Sequence, residues 1–316
     1  MKILVTGGAG FIGSAVSRAL MDCKDEVVII DNFNDYYDPK LKEARIKIFL
    51  KGYKFKLYRG DIRDQAFLEK IFKKEKIDKV VHLAAMAGVR YSIKNPSLYA
   101  DVNIMGIINL LDLSVKYKIN NFIFASSSSV YGNNKKVPFS ESDSVDRPIS
   151  PYAATKKSSE LIAHVYSHLY GLPTTALRFF TVYGPWGRPD MAYFKFTEKI
   201  TNGEAIDVYN KGEMFRDFTY IDDIVDGIIR TLDRPAKYEI MNIGGNRPEK
   251  LTKFIDVLEK NIGKKAKRNF MSMQPGDVLR TIADGKKLRK LGWKPKVKIE
   301  EGLKKFVDWY RKYYEI

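Results

Sequence analysis

Short apolar-rich runs recur along the first 180 residues, and between most of them lie longer stretches whose apolar positions return every three or four residues. The runs at 2–6 (KILVT), 26–30 (EVVII), 54–59 (KFKLYR), 78–83 (DKVVHL), 120–125 (NNFIFA) and 173–180 (PTTALRFF) have strand length. The intervening segments have the spacing of amphipathic helices. Strands alternating with helices in this way predict an α/β fold, a doubly wound parallel sheet covered on both faces. After residue 181 the rhythm breaks into Gly/Pro-rich loops and shorter elements, with helices predicted near 221–232, 251–261 and 300–313. The expected organisation is a large domain over 1–180, to which a segment near 215–245 partly returns, and a smaller C-terminal α/β region over 181–316. No internal repeat and no low-complexity linker divides the chain.

Composition supports a packed globular protein, since 45% of the 316 residues are apolar. The single cysteine, Cys23, excludes an internal disulfide framework and fits a reducing compartment; its expected place is the inner face of the first helix. No run approaches the ~18 apolar residues needed to cross a bilayer. The N-terminus, MKILVTGG, reads as a strand and not as a signal peptide. A cytoplasmic protein without a membrane partner is therefore expected. A net charge of +17 invites a nucleic-acid reading. The lysines of KIFKKEKIDK, NIGKKAKRNF and EEGLKKFVDWYRKYY are, however, interleaved with acids and apolar residues at helical spacing. That pattern describes solvated helix faces, so no nucleic-acid partner is expected; a basic surface would still attract a phosphorylated substrate.

The first strand runs into TGGAGFIG, where Gly7, Gly10 and Gly13 are spaced G-x-x-G-x-x-G around Phe11 and Ile12. Such a turn lets backbone approach a pyrophosphate closely and aims a helix N-terminus at it, which makes the predicted sheet Rossmann-type. Asp31, followed by Asn32, closes the second strand eighteen residues after Gly13. A carboxylate there accepts hydrogen bonds from ribose hydroxyls and repels a 2′-phosphate, favouring NAD over NADP. Asp61 and Ile62 in RGDIRD are placed to bracket the adenine. Leu83, Ala84 and Ala85 offer small or apolar positions where backbone passes the dinucleotide.

Two further segments carry candidate chemistry. SPYAATKKSSE sets Tyr152 and Lys156 four residues apart on one helix face, and FASSSSVYG supplies Ser127 and Ser128 at the end of the fifth strand. Together they form a proton-transfer set beside a nucleotide edge. His164 and His168 are also four apart, but no glutamate lies between them as in H-E-x-x-H and no cysteine cluster supplies further ligands, so no metal site is expected.

The ordered set TGGAGFIG, Asp31, DIRD, HLAA, SSSSVYG and Y-x-x-x-K resembles the extended short-chain dehydrogenase/reductase family, in particular its nucleotide-sugar epimerases, over essentially the whole chain. The resemblance implies NAD as cofactor, Tyr152 as acid/base, Lys156 on the nicotinamide ribose lowering the tyrosine pKa, and Ser127 on the reacting hydroxyl. It further implies that Asn103 orients the serine loop and that helices near 97–115 and 155–170 build a homodimer. Dehydrating and decarboxylating relatives carry an acidic residue just after the catalytic serine or threonine. Here those places hold Ser128 and Ser129, which favours simple epimerisation. DNFNDYYDPKLKEAR, AAMAGVRYS and RFFTVYGPWGRPDMA resemble the UDP-glucuronate 4-epimerases. By that likeness Thr181 and Arg188 face a substrate carboxylate. Arg90, Ser128, Arg216, Gln274, Asp277 and Arg280 contact the rest of the UDP-sugar. UDP-glucose 4-epimerases typically have asparagine at the place of Thr181, and their activity is the alternative expectation. A non-catalytic NAD-binding protein is a third, opposed by the presence of Ser127, Tyr152 and Lys156.

Overall fold

The computed structural model describes residues 1–273 and 278–316. The strands are β1 (Lys2–Thr6), β2 (Glu26–Asp31), β3 (Phe55–Arg59), β4 (Lys79–His82), β5 (Asn121–Ser127), β6 (Thr174–Phe179), β7 (Thr181–Tyr183), β8 (Ala205–Tyr209), β9 (Phe215–Tyr220), β10 (Tyr238–Ile243), β11 (Pro248–Lys250) and β12 (Lys267–Met271). The first six lie within two residues of their predicted limits. They form, with β10, a seven-stranded sheet in the order β3-β2-β1-β4-β5-β6-β10. Every pair in it is parallel. The order reverses between β2-β1 and β1-β4, and such a switch point leaves a crevice beyond the carboxyl ends of the strands.

Period-two alternation explains why the strands are apolar throughout. Ile3, Val5, Val27 and Ile29 face a core shared with Val16 and Leu20 of helix Phe11–Asp22 and with Ile224 and Ile228 of helix Ile221–Leu232. Leu4, Val28 and Ile30 face the opposite core, with Leu68, Ile71 and Phe72 of helix Gln65–Glu75 and with Leu110. Local signals fix the helix carrying Tyr152. Ser150 Oγ accepts from the Ala153 amide at 3.2 Å, Pro151 occupies the first turn, and Gly171 ends the helix at φ +69°. Beyond residue 180, β11, β9 and β7 form a three-stranded sheet and β12 pairs with β8. The C-terminal helix Ile299–Tyr314 buries Phe306 and Tyr310 against Tyr193 and Phe194.

Two expectations differ from the structure. Cys23 is exposed and not on an inner face, because the chain leaves the helix there, at ψ 6°, before another inward turn is completed. The segment expected near 97–115 is one continuous helix, Pro96–Lys116, whose most apolar 18 residues reach a mean hydropathy of 1.4. It is thus long and apolar enough to cross a bilayer, contrary to the reading that no run approaches that length. More than half of that stretch is buried inside the protein, with Tyr99, Leu110 and Leu111 packed into the second core.

A buried ion pair ties the tyrosine helix to the sheet. Arg178 of β6 donates from Nε and Nη2 to the two carboxylate oxygens of Glu160, both at 2.8 Å, and each side chain is 1% exposed. Ser126 Oγ of β5 donates to the same carboxylate at 2.6 Å. Arg178→Met would leave Glu160 charged without its partner, at an expected cost of ~3–5 kcal/mol in urea unfolding. Pairing it with Glu160→Leu is expected to restore most of that loss.

Candidate active site

A cleft of ≈ 1150 Å³ runs along the carboxyl ends of the main sheet and under β7 to β9. Its floor is the glycine turn. Gly7 has φ +70°, and a Cβ there would lie 2.7 Å from the Ala84 amide nitrogen; at Gly13 it would lie 2.1 Å from the Gly7 carbonyl oxygen. Only glycine keeps this cradle open, and the amides of helix Phe11–Asp22, with Phe11 and Ile12, sit at its mouth. Asp31 is 7% exposed, and its carboxylate accepts from the amides of Ala9 (3.0 Å) and Phe33 (2.8 Å). An open glycine cradle beside a strand-end carboxylate is the donor and acceptor set that fits a dinucleotide diphosphate and ribose.

The next strand ends continue this wall. Asn32 Nδ2 donates to Asp61 at 2.9 Å, and Arg63 grips the same carboxylate with Nε and Nη2, both at 2.9 Å. The Arg63 hydrogen bonds, chiefly, hold Asp61 down to about 2, so it remains an acceptor at any ordinary pH. Ile62 lies against Gly106 of helix Pro96–Lys116, where a Cβ would come within 2.4 Å of it. The Ala84 amide donates to Thr6 Oγ1 at 3.2 Å, and Thr6 Oγ1 lies 2.8 Å from His82 Nδ1. Burial keeps that imidazole neutral, pushed down to about 3. Leu83, Ala84 and Ala85 line the cleft beside it.

Tyr152, Lys156, Ser127 and Ser128 all line this cleft. Lys156 Nζ donates to the Ala125 carbonyl at 2.7 Å; burial pulls its ammonium down to about 8, against an upward pull from Glu160. Burial raises Tyr152 above its ordinary value, while a hydrogen bond with Ser127 and the charge of Arg188 pull it down. The tyrosine therefore needs added positive charge nearby before it can act as a base near neutrality. Ser127 Oγ in turn accepts from the Ser129 amide at 3.1 Å. Asn103 does not orient this loop. Its side chain exchanges hydrogen bonds with the Met86 backbone (2.8 and 3.0 Å) and reaches Thr155 Oγ1 at 3.1 Å, because helix Pro96–Lys116 passes beneath the loop after β4.

Thr181, Arg188, Arg90 and Arg216 line the far end of the cleft. Arg188 is held by Asp190, with Nε to Oδ1 at 3.0 Å and Nη2 to Oδ2 at 2.5 Å; Tyr36 OH donates to Asp190 Oδ2 at 3.2 Å. Burial opposes the Arg188 charge, but Asp190 outweighs it and the guanidinium stays protonated. Arg90 stacks on the Tyr209 ring at 4.8 Å. Arg216 Nη1 donates to the Phe215 carbonyl at 3.0 Å. Arg280 falls outside the cleft lining: its strand bridge to Phe215 turns the guanidinium onto that ring, 4.6 Å from the centroid. Gln274 and Asp277 lie outside the described residues.

Residues 4–306 match the family model described as GDP-mannose 4,6 dehydratase. The chain belongs to this family of extended short-chain dehydrogenases/reductases. Within it, a probable UDP-glucuronate 4-epimerase of Rhizobium meliloti (strain 1021) is 46% identical, over 99% of this chain and 98% of that one. A solved UDP-glucuronic acid 4-epimerase from Bacillus cereus, in complex with UDP-glucuronic acid and NAD, is 38% identical over 99% of this chain and 100% of its own, with TM-score 0.93. A UDP-glucose 4-epimerase from Thermotoga maritima with UDP-glucose gives 0.91 at 35% identity, covering 99% and 100%. Backbone shape alone does not separate the two sugar classes within this family. Separation must come from side chains, and the structure brings to the cleft and its wall several residues that the sequence did not single out. Asp190, Tyr36 and Arg45 all lie inside motifs quoted above, yet only the folded chain shows them converging on Arg188. Lys42 is another: it is 4% exposed, donates to Asn34 at 2.7 and 2.8 Å, and burial pulls it down to about 8.

The Lys156 charge has a cost in stability with a definite sign. Its folded pKa of about 8 lies below the ordinary 10.5, so the penalty is full below pH 8 and fades as pH rises toward 10.5. Lys156→Met is expected to gain stability at pH 7 on the order of 1–3 kcal/mol. The gap to the parent, read from thermal melts, is expected to close between pH 8 and 10.5.

Proposed function

We propose that this protein is an NAD-dependent 4-epimerase of a UDP-hexuronic acid, interconverting UDP-glucuronate and UDP-galacturonate. The observation that carries the reading is the placing of Tyr152, Lys156 and Ser127 in one cleft with Arg188 and Thr181. In this reading the Gly7, Gly10 and Gly13 cradle with Asp31, Asn32, Asp61 and Ile62 holds the dinucleotide; Arg90 and Arg216 serve the UDP end. The first 180 residues, with helix Ile221–Leu232 and β10, then form the cofactor half and the remainder the sugar-nucleotide half. NAD, when bound, accepts hydride from carbon 4 of the sugar and returns it to the opposite face after the keto sugar has turned.

Tyr152 takes the 4-hydroxyl proton and gives it back, with Ser127 holding the oxygen in line. Lys156 anchors the nicotinamide ribose and, with the oxidised nicotinamide charge, brings the buried tyrosine toward its working range. The 4-keto sugar of a uronate is a β-keto acid, which loses carbon dioxide when the carboxylate bond aligns with the carbonyl π-system. Arg188 and Thr181 fix the carboxylate away from that alignment. Ser128 and Ser129 provide no acid for elimination, consistent with epimerisation and not dehydration. Exposed Leu161, Val165 and Leu169 on helix Pro151–Tyr170, beside exposed Met105, support a homodimer through these helices. A single cysteine fits a cytoplasmic setting.

Proton NMR of UDP-glucuronate incubated with the purified protein and NAD is expected to show UDP-galacturonate without pentose. Conversion of UDP-glucose alone would instead support the neutral-sugar reading. Tyr152→Phe is expected to lower kcat by about 10²–10⁴-fold. Arg188→Ala is expected to release carbon dioxide and form a UDP-pentose, and intact epimerisation without such leakage would contradict the clamp.

A further inference from the structure

Arg45 is 0% exposed, and among the described residues it has no carboxylate within ion-pair distance. Its five N–H donors are nevertheless all engaged. Nε and Nη2 donate to the Trp186 carbonyl (2.9 and 2.7 Å), Nη2 also to the Gly187 carbonyl (3.0 Å), and Nη1 to the Ala9 carbonyl (3.1 Å) and Tyr37 OH (2.8 Å). One side chain thus bolts the glycine turn to the backbone just before Arg188. It grips that backbone where it is strained: Trp186 has φ +62°, a left-handed conformation rare for a bulky residue. Tyr193 OH accepts from the Arg188 amide at 3.2 Å, so the 186–188 segment is held from two sides.

The Arg188 side chain is held by its edge. Asp190 occupies the side-on fork, Nε and Nη2, and Tyr36, whose OH donates to Asp190, also sets its ring 5.8 Å from the Arg188 guanidinium carbon. Asp190 leaves Nη1 outside its grip, and Arg188 lines the cleft. A guanidinium gripped side-on presents its end-on edge, which is the geometry that receives a second carboxylate. A neutral hydroxymethyl group offers no charge to that edge.

We propose that Asp190 and Arg45 are the positioning residues that make this cleft select a uronate: Arg45 sets the backbone, Asp190 fixes the side-on edge, and the Arg188 end-on edge is left for the sugar carboxylate. The proposal rests on the hexuronate reading above. It assigns the selectivity to the support around Arg188 as much as to Arg188 itself. Arg45→Lys cannot replace five fixed donors, and Asp190→Asn keeps the shape while removing the charge.

The test is calorimetric binding of UDP-glucuronate, UDP-glucose and UDP to the NAD-loaded parent, Asp190→Asn, Arg45→Lys and Tyr36→Phe. The expected result is a fall of about tenfold in the preference for UDP-glucuronate over UDP-glucose in the first two variants, the loss of one charge-assisted contact, with affinity for UDP itself unchanged. Pentose formation should rise in parallel, a readout that a merely structural role would not move. Unchanged preference and unchanged product partition in both variants would overturn the proposal. Should Asp190→Asn and Arg45→Lys lose UDP and NAD binding together, Tyr36→Phe decides: a preference lowered in proportion to the one lost hydroxyl supports the positioning, and parental preference overturns it. A parent protein with no preference for UDP-glucuronate would instead defeat the hexuronate reading, and the proposal would fall with it.

Discussion

Parallel strands buried on both faces leave an α/β domain only one place to do chemistry, the edge where strands end. In this chain the order β3-β2-β1-β4-β5-β6 opens that edge between β1 and β4. Asp31 ends β2, Ser127 ends β5 and Thr181 follows β6 by two residues, so the cofactor wall and the reacting centre are set by one sheet. The close approach of the glycine turn to Ala84 sets the end of β1 tightly against the loop after β4.

Charge buried at the centre is the second organising feature. Lys156 is buried and Arg188 partly so, and both are compensated by a neighbour on the same short stretch of chain, Glu160 and Asp190. The two compensations differ in kind. Glu160 is shared with Arg178 and Ser126, which leaves the Lys156 ammonium underpaired and responsive to its surroundings. Asp190 is committed to Arg188 bidentately, which makes that cation a fixed fitting. A responsive lysine beside the tyrosine and a fixed arginine at the carboxylate end suit the two tasks assigned to them: tuning a proton transfer and holding a bond out of alignment.

Much of this was legible in the sequence for local reasons. Strand and helix periods gave the six strands of the first half to within two residues, and helices at 221–232, 251–262 and 299–314 followed from their apolar stripes. Glycine spacing, the strand-end aspartate and the tyrosine–lysine pair are short-range patterns, and the cleft gathers all of them. What escaped depends on long-range packing. Arg45 lies 141 residues from Trp186, and Tyr36 lies 154 from Asp190. A lone arginine at the end of a helix has no local pattern that announces contacts with Ala9 and Gly187. For Asn103 the buried helix amide, and not the loop-orienting role, matches its bonds to Met86 and Thr155, which are set by how helix Pro96–Lys116 crosses the sheet. Arg280 lies over the Phe215 ring, a placement that its motif alone does not announce.

In the proposed mechanism one hydride leaves carbon 4 and returns to it within a single closed turnover. Incubating UDP-glucuronate carrying deuterium at carbon 4 with the protein in ordinary water, and reading the product by NMR and mass spectrometry, tests this directly. UDP-galacturonate is expected to retain the full deuterium label at carbon 4. Replacement of that label by solvent hydrogen would mean that inversion proceeds by proton exchange with water, and the roles given to Tyr152 and the glycine cradle would be wrong.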